Sequence, residues 1–432
     1  MIAITMFIIL LVGLALGIPI VVSLGLATIL PGLLNPHFVG NISFVVRNMV
    51  NAIDNTPILA IPLFILSGDI MTKGKISDKL FDFFAYFIGN KTAGMPITAI
   101  VTCLFYGAIS GSGVATTAAV GGIAIPFLVS LGYDAVYCAA LVATAGSLGV
   151  IIPPSIPFVT YGVVTGVSVG HLFIAGIFPG ILIGLSLMVY AYIYAKKKGE
   201  NKELILSKYN LLKEKGFVTV LKESFWAILS PVIILGGIYS GVFTPTEAAV
   251  VSVFYSLLVC LFIYKTLTPK DAMGILKNTV KSYTPIVILL SLAIVFGRVL
   301  ALLQAPASLR DFVITYFAGN KLVFLLVLNI IFFILGMFMD VGPAIAILAP
   351  MLLPVAVALG VNPIHLGIIM VSNLAIGMVT PPFGVDLFVA APLIKEDVMM
   401  VGIKAIPFIV AFIVALLIIT YVPQLSLVLI RQ

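Results

Sequence analysis

Charged residues are scarce in this sequence. Asp, Glu, Lys and Arg make up 9% of its 432 residues, and 62% of the residues are hydrophobic. A soluble domain carries roughly 25% charged residues, so most of this chain is expected to face lipid or other apolar helices. The basic residues behind the net charge of +7 are scattered between apolar segments. A nucleic-acid-binding protein would gather them on one soluble face, which argues against that class.

Cysteine and histidine are also rare. The cysteines stand singly in apolar runs without a CxxC pair, so the sequence predicts neither a disulfide framework nor a thiolate metal site. They are Cys103, Cys138 and Cys260, and the equally isolated histidines are His37, His171 and His365. The chain has no nucleophile elbow, P-loop or HExxH motif, so we predict that it is not an enzyme. Any transport must then be driven by an ion gradient or by another subunit.

Helix-breaking stretches interrupt the apolar segments twice. A Gly/Ser-rich stretch at 107–113 is followed by Pro153–Pro154, and a second break at 336–342 is followed by Pro381–Pro382. The two proline pairs lie 228 positions apart (381 − 153). Irregular backbone at membrane depth is tolerated only where it is buried in protein or lines a cavity. Paired breaks at corresponding positions of two halves mark the central site of secondary transporters, which is the class that the sequence predicts.

The segments predict an all-α polytopic membrane protein with a duplicated architecture. The first repeat covers 1–195, a cytoplasmic lysine-rich connection covers 196–224, and the second repeat covers 225–432. Each repeat contains a pair of apolar arms around a break, which we predict to be a re-entrant hairpin, and then a broken helix. The hairpins are predicted at about 94–131 and 322–359, and the broken helices at about 134–167 and 363–393.

The number of crossings predicts that the two repeats are inverted. If each hairpin enters and leaves on one side, each repeat crosses the membrane five times, and an odd number inverts the repeat that follows. With 196–224 in the cytoplasm, most of the lysines between spans fall on that side, as the positive-inside rule requires. The opposite side then receives few basic residues, namely Arg47, Arg310, Lys321 and Arg431.

Several connecting segments also have expected structures. Residues 35–55 are predicted to form an amphipathic helix at the membrane interface, and 72–91 a polar connection. Thr244–Glu247 and Thr268–Asp271 both read as capping boxes with proline at the first helical position. The second of them is expected to start an amphipathic helix, with a separate span beginning at Pro285.

Oxygen-bearing side chains cluster at the breaks. Unwound backbone supplies carbonyls beside short hydroxyls, and together these can bind a sodium ion. The first half offers Ser110, Ser112, Thr116, Thr144, Ser147 and Ser155, and the second half offers Asp340, Ser372, Asn373 and Thr380. Half-helix N-termini at the same breaks present N–H groups to an anion. Tight helix packing explains any single serine or glycine equally well.

Asp340 is the sharpest single candidate, because a carboxylate inside an apolar segment is costly and by default functional. The alternative for Asp340 is a surface position in a loop. Asp386 is a second candidate, with local capping or pairing as its alternative. Arg298 aligns with Asp69 at a shift of 229 (298 − 69), and both are expected to anchor helix ends. Arg47 is a candidate for meeting an anionic substrate, although an interfacial helix needs basic residues anyway.

Taken together, these stretches resemble the large membrane subunit of tripartite ATP-independent periplasmic (TRAP) transporters. The resemblance runs essentially end to end. It is carried by SGSG at 110–113, GVIIPPS at 149–155, FTPTEAA at 243–249, MDVGP at 339–343 and NLAIGMVTPP at 373–382.

The resemblance implies sodium-coupled import of an organic anion across the bacterial inner membrane. The substrate would be a C4-dicarboxylate or a sugar acid such as sialic acid. The implied partners are a small four-helix membrane subunit and a periplasmic substrate-binding protein. The implied fold is like that of divalent-anion/sodium symporters, in which a transport domain carrying both hairpins moves as an elevator against a scaffold. No cofactor is expected besides the coupling sodium ions.

The resemblance also assigns residues. The sodium-binding positions would be Ser110, Gly111, Ser112, Gly149, Pro153, Gly342, Gly377 and Thr380. The substrate would meet Ser110, Ser155 and Asp340. Asp386 departs from the family pattern, in which a neutral amide is expected more often. Two alternatives stay open: a stand-alone sodium/anion symporter that needs no binding protein, and a non-transporting membrane scaffold subunit.

Overall fold

The computed structural model describes residues 2–34, 38, 40–317 and 319–430. His37 and Arg431 lie outside the described residues. Every regular element in the described part is helical, and nine helices are long and apolar enough to cross a membrane. The predicted class, an all-α polytopic membrane protein, is confirmed at this level.

The chain up to residue 198 forms ten helices, some flanked by a short 3-10 turn. They are α1 (Ile2–Ala15), α2 (Ile20–Leu34), α3 (Ile42–Ile53), α4 (Ala60–Lys73), α5 (Ile76–Ile88), α6 (Gly94–Ser110), α7 (Gly113–Ser130), α8 (Ala135–Gly146), α9 (Ile156–Thr165) and α10 (Val169–Lys198). The rest of the chain forms eleven more. They are α11 (Lys202–Glu214), α12 (Phe217–Tyr239), α13 (Pro245–Leu258), α14 (Pro269–Leu302), α15 (Ala305–Phe317), α16 (Lys321–Phe338), α17 (Val341–Ala358), α18 (Pro363–Gly377), α19 (Val385–Ile394), α20 (Val398–Tyr421) and α21 (Gln424–Leu427).

The arms around each break lie near the lower length limit for a membrane span. Helices α6 and α7 have 17 and 18 residues, and α16 and α17 have 18 each. At 1.5 Å per residue an arm is about 27 Å long at most, slightly less than the thickness of the hydrocarbon core. Only two residues, Gly111 and Ser112, separate α6 from α7. This geometry favours hairpins, and their re-entrant character stays a prediction.

The two halves repeat one order of elements. In each half a hairpin (α6–α7, then α16–α17) precedes a broken helix (α8–α9, then α18–α19) and a long helix (α10, then α20). The packing is reciprocal, because α7 contacts α19 while α17 contacts α9. The domain boundaries and the inversion of one repeat relative to the other stay predictions.

Each hairpin crosses its broken helix at a pair of glycines. A methyl group added to Gly107 would lie 2.7 Å from the Cα of Gly149, and one added to Gly377 would lie 2.4 Å from the Cα of Gly336. Real side chains do not tolerate contacts this short with backbone. The absence of Cβ atoms at these crossings therefore lets each first arm lie directly against the kink of the broken helix.

The expectation of a polar connection at 72–91 is wrong, because most of this segment forms α5. Its apolar residues recur at helical spacing, and Ile76, Leu80 and Phe81 are buried. Its lysines and acids lie on the opposite face. An amphipathic helix, rather than a loop, therefore links α4 to the first hairpin.

The segment after Thr268 also differs from expectation. The amphipathic helix and the span from Pro285 are one continuous helix, α14, of 34 residues. The ring of Pro285 leaves the Lys281 carbonyl without its usual helical donor, and the helix continues through this position. Both predicted capping boxes, at Thr244 and Thr268, are confirmed.

The lysine-rich connection is mostly helical and packs on the first half. Lys215 pairs with Asp82 of α5 at 3.0 Å, and Glu223 pairs with Lys79 of α5 at 3.0 Å. Glu200 accepts hydrogen bonds from the Ala93 amide at the start of the first hairpin. The connection and the lysines around α5 therefore lie at one end of the molecule.

Candidate functional site

A cavity of about 560 Å³ lies where the two hairpin tips meet. The first tip contributes residues 110–115 and the second contributes 340–343. The remaining wall comes from helices outside the hairpins, namely α2, α4 and α14, with the start of α9. The cavity therefore lies between the two hairpin tips and the helices α2, α4 and α14. Its volume suits a small organic ligand.

The first tip carries a compact group of neutral oxygens. Ser110 Oγ lies 2.9 Å from Thr116 Oγ1, and Thr116 Oγ1 donates to the carbonyl oxygen of Ser112 at 2.8 Å. The Ser112 side chain caps α7 by accepting from the Ala115 amide at 3.4 Å. Ser110 is almost fully buried, and Ser112 is half-buried at the cavity wall. Two hydroxyls and a carbonyl oxygen thus lie close together, and these are the kinds of ligand that bind sodium at broken helices.

Gly149 leaves room for this group. A methyl group added to Gly149 would lie 2.5 Å from Thr116 Oγ1 and 2.7 Å from the Ser112 carbonyl oxygen. Any larger residue at 149 would fill the space beside these oxygens. The predicted sodium positions Ser110, Gly111, Ser112 and Gly149 therefore come together, and the oxygens present fit such an ion.

The second tip differs in chemistry. Asp340 caps α17 by accepting from the Val341 amide at 2.8 Å, and its side chain is exposed to the cavity. Gly342 lines the cavity with open space where a side chain would be. Gly377 and Thr380 lie behind the cavity wall, where the Thr380 hydroxyl donates to the Ile376 carbonyl at 2.8 Å. This tip therefore presents one carboxylate and a backbone turn instead of hydroxyls.

Three helices begin at the cavity. The first turns of α7, α9 and α17 all contribute lining residues, represented by Gly113, Ile156 and Gly342. The backbone N–H groups of a first turn have no partner within the helix, and the helix dipole makes this end positive. In α9 the Ile156 amide donates to the Gly111 carbonyl at 3.2 Å, the Phe158 amide donates to Ser155 Oγ, and Pro157 has no N–H, so α9 contributes its dipole alone. The first turns of α7 and α17 therefore supply the backbone donors of an anion-binding surface.

The ionisable side chains at the cavity are acidic. Asp69 of α4 and Asp340 line it, and among the described lining residues there is no Lys or Arg. The Thr279 hydroxyl donates to Asp69 Oδ2 at 2.8 Å. An organic anion here would meet carboxylates without a basic side chain, so bound cations and helix N-termini must supply the positive charge.

Other predicted residues lie away from the cavity wall. Ser155 is buried and caps α9, accepting from the Phe158 amide at 3.3 Å and donating to the Val150 carbonyl at 2.5 Å. Pro153 belongs to the same kink, which packs against Gly111 through the neighbouring Pro154 carbonyl. Arg47 is exposed on α3 and is not among the described lining residues.

The second broken helix joins a buried polar network. The Asn373 amide donates to Asn329 Oδ1 at 2.7 Å, and the Thr420 hydroxyl donates to the same oxygen at 3.2 Å. His365 lies 3.2 Å from both the Ser426 hydroxyl and the Thr420 carbonyl oxygen. These contacts join α16, α18, α20 and α21, and they give His365 a packing role. Within the described residues no group of three potential metal ligands occurs.

Sequence reasoning missed part of the site. Asp69 was expected only to anchor a helix end, and the structure places it on the cavity wall. Gly68 beside it lets α4 approach Ser110, because an added methyl group would lie 3.1 Å from the Ser110 Cα. Arg298 donates to Asn48 Oδ1 at 2.5 Å and so links α14 to α3. The signal available in the sequence was a small residue beside an acid inside an apolar segment, namely Gly68-Asp69.

Comparisons with known proteins agree on one family. The family model described as "Tripartite ATP-independent periplasmic transporter, DctM component" matches residues 7–425. The isethionate TRAP transporter permease DctMQ of Oleidesulfovibrio alaskensis is 41% identical over 418 residues, which cover 96% of this chain and 64% of the relative. This chain therefore spans just under two thirds of that relative's length.

Two further relatives are covered more completely. The C4-dicarboxylate TRAP transporter large permease DctM of Pseudomonas aeruginosa is 42% identical over 86% of this chain and 85% of its own length. The sialic acid TRAP transporter large permease SiaM of Vibrio cholerae is 35% identical over 90% and 89%. Among solved structures, the YdaH transporter of Alcanivorax borkumensis superposes with a TM-score of 0.60 at 14% identity, over 87% of this chain and 86% of that one. At that identity the likeness concerns the fold alone.

Proposed function

This chain belongs to the DctM family of TRAP transporters and is a large permease, and from that premise we propose that it imports a small organic anion with sodium. The observation that carries the proposal is the cavity between the tips. Three helix N-termini open onto it, two carboxylates line it, and the lining residues described contain no basic side chain.

This charge arrangement favours coupling. Without cations, Asp69 and Asp340 would repel an entering anion. Sodium at the first tip, held by Ser110, Ser112 and Thr116, would offset that repulsion and bring positive charge beside the α7 N-terminus. The anion would then bind well only after sodium, which is the thermodynamic requirement for coupled transport.

The transported anion belongs to the classes that the relatives' names give. Those names cite isethionate, C4-dicarboxylates and sialic acid, all small organic anions. A cavity of about 560 Å³ has room for any of them together with an ion. We propose the same substrate range here, with delivery by a periplasmic binding protein and assembly with a small membrane subunit in the bacterial inner membrane.

The mechanism we propose is an elevator. The hairpins and broken helices would move together as the transport domain, against a scaffold that includes α2, α4 and α14. Because the cavity lies along this boundary, such movement would carry substrate and ions across the membrane between the two bodies.

The test is uptake into proteoliposomes that contain this chain and its small membrane subunit. Radiolabelled succinate, sialic acid and isethionate are supplied with the matching binding protein, under an inward sodium gradient or an equal potassium gradient. We expect uptake of one substrate class with sodium only. Equal uptake in potassium would refute coupling, and uptake without the binding protein would favour a stand-alone symporter. No uptake of any substrate under either gradient would favour the non-transporting scaffold.

A further inference from the structure

Asp386 is a fully buried carboxylate on α19 that the cavity does not explain. Its side chain has no exposed surface, and neither Oδ1 nor Oδ2 has a hydrogen-bond partner among the described residues. It is absent from the described ion pairs. A buried charge without a partner is strongly unfavourable, so this position requires a neutralising group.

The carboxylate of Asp386 lies against the first hairpin. A methyl group added to Gly113, the first residue of α7, would lie 3.1 Å from Asp386 Oδ2 and 3.4 Å from the Cα of Ser147. Further along, a methyl group added to Gly121 would lie 3.0 Å from Leu393 Cδ1. Helix α19 therefore runs alongside α7, with Asp386 at the level of its first turn.

A second unpaired oxygen lies one helical turn away. Thr117 is fully buried four residues after Gly113, and its Oγ1 has no hydrogen-bond partner in the described part of the chain. This hydroxyl lies against Gly146, the neighbour of Ser147, so it faces the same strip of α8 as Gly113 does. Residues four apart on a helix have Cβ atoms about 5–6 Å apart.

The unpaired oxygens indicate what kind of group they would bind. Asp386 and Thr117 do not bond each other, so a proton on Asp386 would leave Thr117 Oγ1 unpaired and would add a donor without an acceptor. A cation between them would bond both oxygens. The ionisable groups close enough to act on Asp386 are Asp340 of α17 and Cys103 of α6, and both are acids. One carboxylate and one hydroxyl carry a single negative charge, and no group of three His, Cys, Asp or Glu occurs among the described residues, so the pair suits a monovalent hard cation.

We propose that Asp386 and Thr117 form a further sodium site between α19 and α7, separate from the oxygens of the first tip. The ion bonds the second broken helix to the first hairpin, so its occupancy couples the two predicted repeats. This site rests on the proposed sodium coupling and adds one ion to it.

The experiment measures equilibrium binding of radioactive sodium to the purified full chain in complex with its small membrane subunit. Asp386→Asn keeps the shape of the side chain and removes the charge, and we expect it to bind one sodium ion fewer per chain. Thr117→Val should retain the ion with an affinity about tenfold weaker. The matched control is Thr98→Val, because the Thr98 hydroxyl is buried in α6 and bonds the Gly94 carbonyl of its own helix at 2.8 Å. This control should bind as the parent does.

Failure of this site is distinguishable from failure of the transport proposal. If the parent binds no sodium, the proposed coupling fails as a whole. If Ser110→Ala with Ser112→Ala loses sodium while Asp386→Asn and Thr117→Val keep the full count and affinity, only the Asp386 site is refuted. If Asp386→Asn changes only the pH dependence of uptake and leaves the sodium count intact, the site binds a proton, and the sodium assignment is overturned.

Discussion

The two hairpin tips share a backbone design and differ in their chemistry. Each first arm crosses its broken helix at a glycine pair, Gly107 with Gly149 and Gly336 with Gly377. At the first tip the cavity meets neutral hydroxyls that bond one another, whereas at the second it meets the carboxylate of Asp340. The repeated architecture therefore fixes where the breaks lie, while the side chains decide what each break binds.

The two broken helices differ in the same direction. In the first, the hydroxyls of Thr144, Ser147 and Ser155 all donate to carbonyls of the same broken helix. In the second, Ser372 Oγ and the Asp386 oxygens have no partner within the described residues. These three hydroxyls of the first broken helix thus find partners within it, whereas Ser372 and Asp386 of the second do not.

We expect the largest effect on transport from removing the negative charge at the second tip. Asp340→Asn keeps the cap on α17 but removes the negative charge from the cavity. We expect sodium-driven uptake to fall by about 100-fold, equivalent to roughly 2.7 kcal/mol of lost stabilisation. Uptake into proteoliposomes measures this, with the amount of inserted protein unchanged.

Asp311→Asn is the control for Asp340→Asn, because Asp311 is an exposed acid on α15 that pairs with its neighbour Arg310. It should transport at the parent rate. If Asp340→Asn kept full activity, the negative charge of Asp340 would have no role in transport, and Asp340 would serve only as the cap of α17.

Substitutions at the paired glycines compare the two kinks. In Gly149→Ala the new methyl group would meet Thr116 Oγ1 and the Ser112 carbonyl oxygen. We therefore expect the sodium concentration for half-maximal uptake to rise about tenfold. In Gly377→Ala it would meet the backbone of Gly336. There we expect a loss of stability of about 1–3 kcal/mol, seen as a lower midpoint of thermal unfolding in detergent.

Gly122→Ala on α7 is the matched control, since open space surrounds that position. It should change neither the sodium response nor the unfolding midpoint. If Gly149→Ala and Gly377→Ala gave the same pattern of effects, the two kinks would be equivalent, and the distinction between a binding kink and a packing kink would be lost.

The breaks themselves could be predicted from the sequence because their signals are local. Pro153–Pro154 and Pro381–Pro382 disfavour a continuous helix locally, and in the Gly/Ser stretch at 107–113 the chain leaves the helix at Gly111 and Ser112, where glycine permits a left-handed backbone. Asp340 could be found in the same way, since an acid between apolar residues at a break is conspicuous. The cap signals at Thr244 and Thr268 are equally local, and both predicted caps form.

The missed features depend on tertiary packing. Asp69 lies on α4, and only the approach of α4 to the first tip at Gly68 brings it to the cavity. The surroundings of Asp386 follow from the contact of α19 with α7, which no sequence period encodes. Helix α5 was missed for a different reason. The lysines of 72–91 suggested a loop, although Ile76, Leu80 and Phe81 had helical spacing.

The neutral oxygens of the first tip give a smaller expected effect than the charge at the second. Ser110→Ala combined with Ser112→Ala removes a hydroxyl ligand and the cap of α7 while leaving the Ser112 carbonyl. We expect the sodium concentration for half-maximal uptake to rise about fivefold to tenfold, since each lost neutral contact is worth about 1 kcal/mol. Ser186→Ala on α10 is the control, because its hydroxyl bonds only the Ile183 carbonyl. An unchanged sodium response would mean that Ser110 and Ser112 serve packing.

We expect the smallest effect from the ion pairs at the surface of the two repeats. Ion pairs join α5 to the connection, whereas the ion pair described for α15 links the neighbours Arg310 and Asp311. The hydrogen bond to Asp82 holds the pKa of Lys215 above its usual range. That pair therefore stabilises the fold at pH values below the ordinary lysine pKa of about 10.4, and its contribution is lost as the pH rises through the higher value of the folded state.

Lys215→Ala should lower the stability by less than about 1 kcal/mol, because both side chains are partly exposed and salt screens the pair. The unfolding midpoint in detergent measures the effect, which should shrink in high salt and stay constant between about pH 6 and 8. Lys208→Ala, an exposed lysine of α11, is the control. A loss of several kcal/mol for Lys215→Ala would show that the connection, rather than the helix crossings, stabilises the packing of the first half. The two repeats would then differ in what stabilises them as well as in the chemistry of their tips.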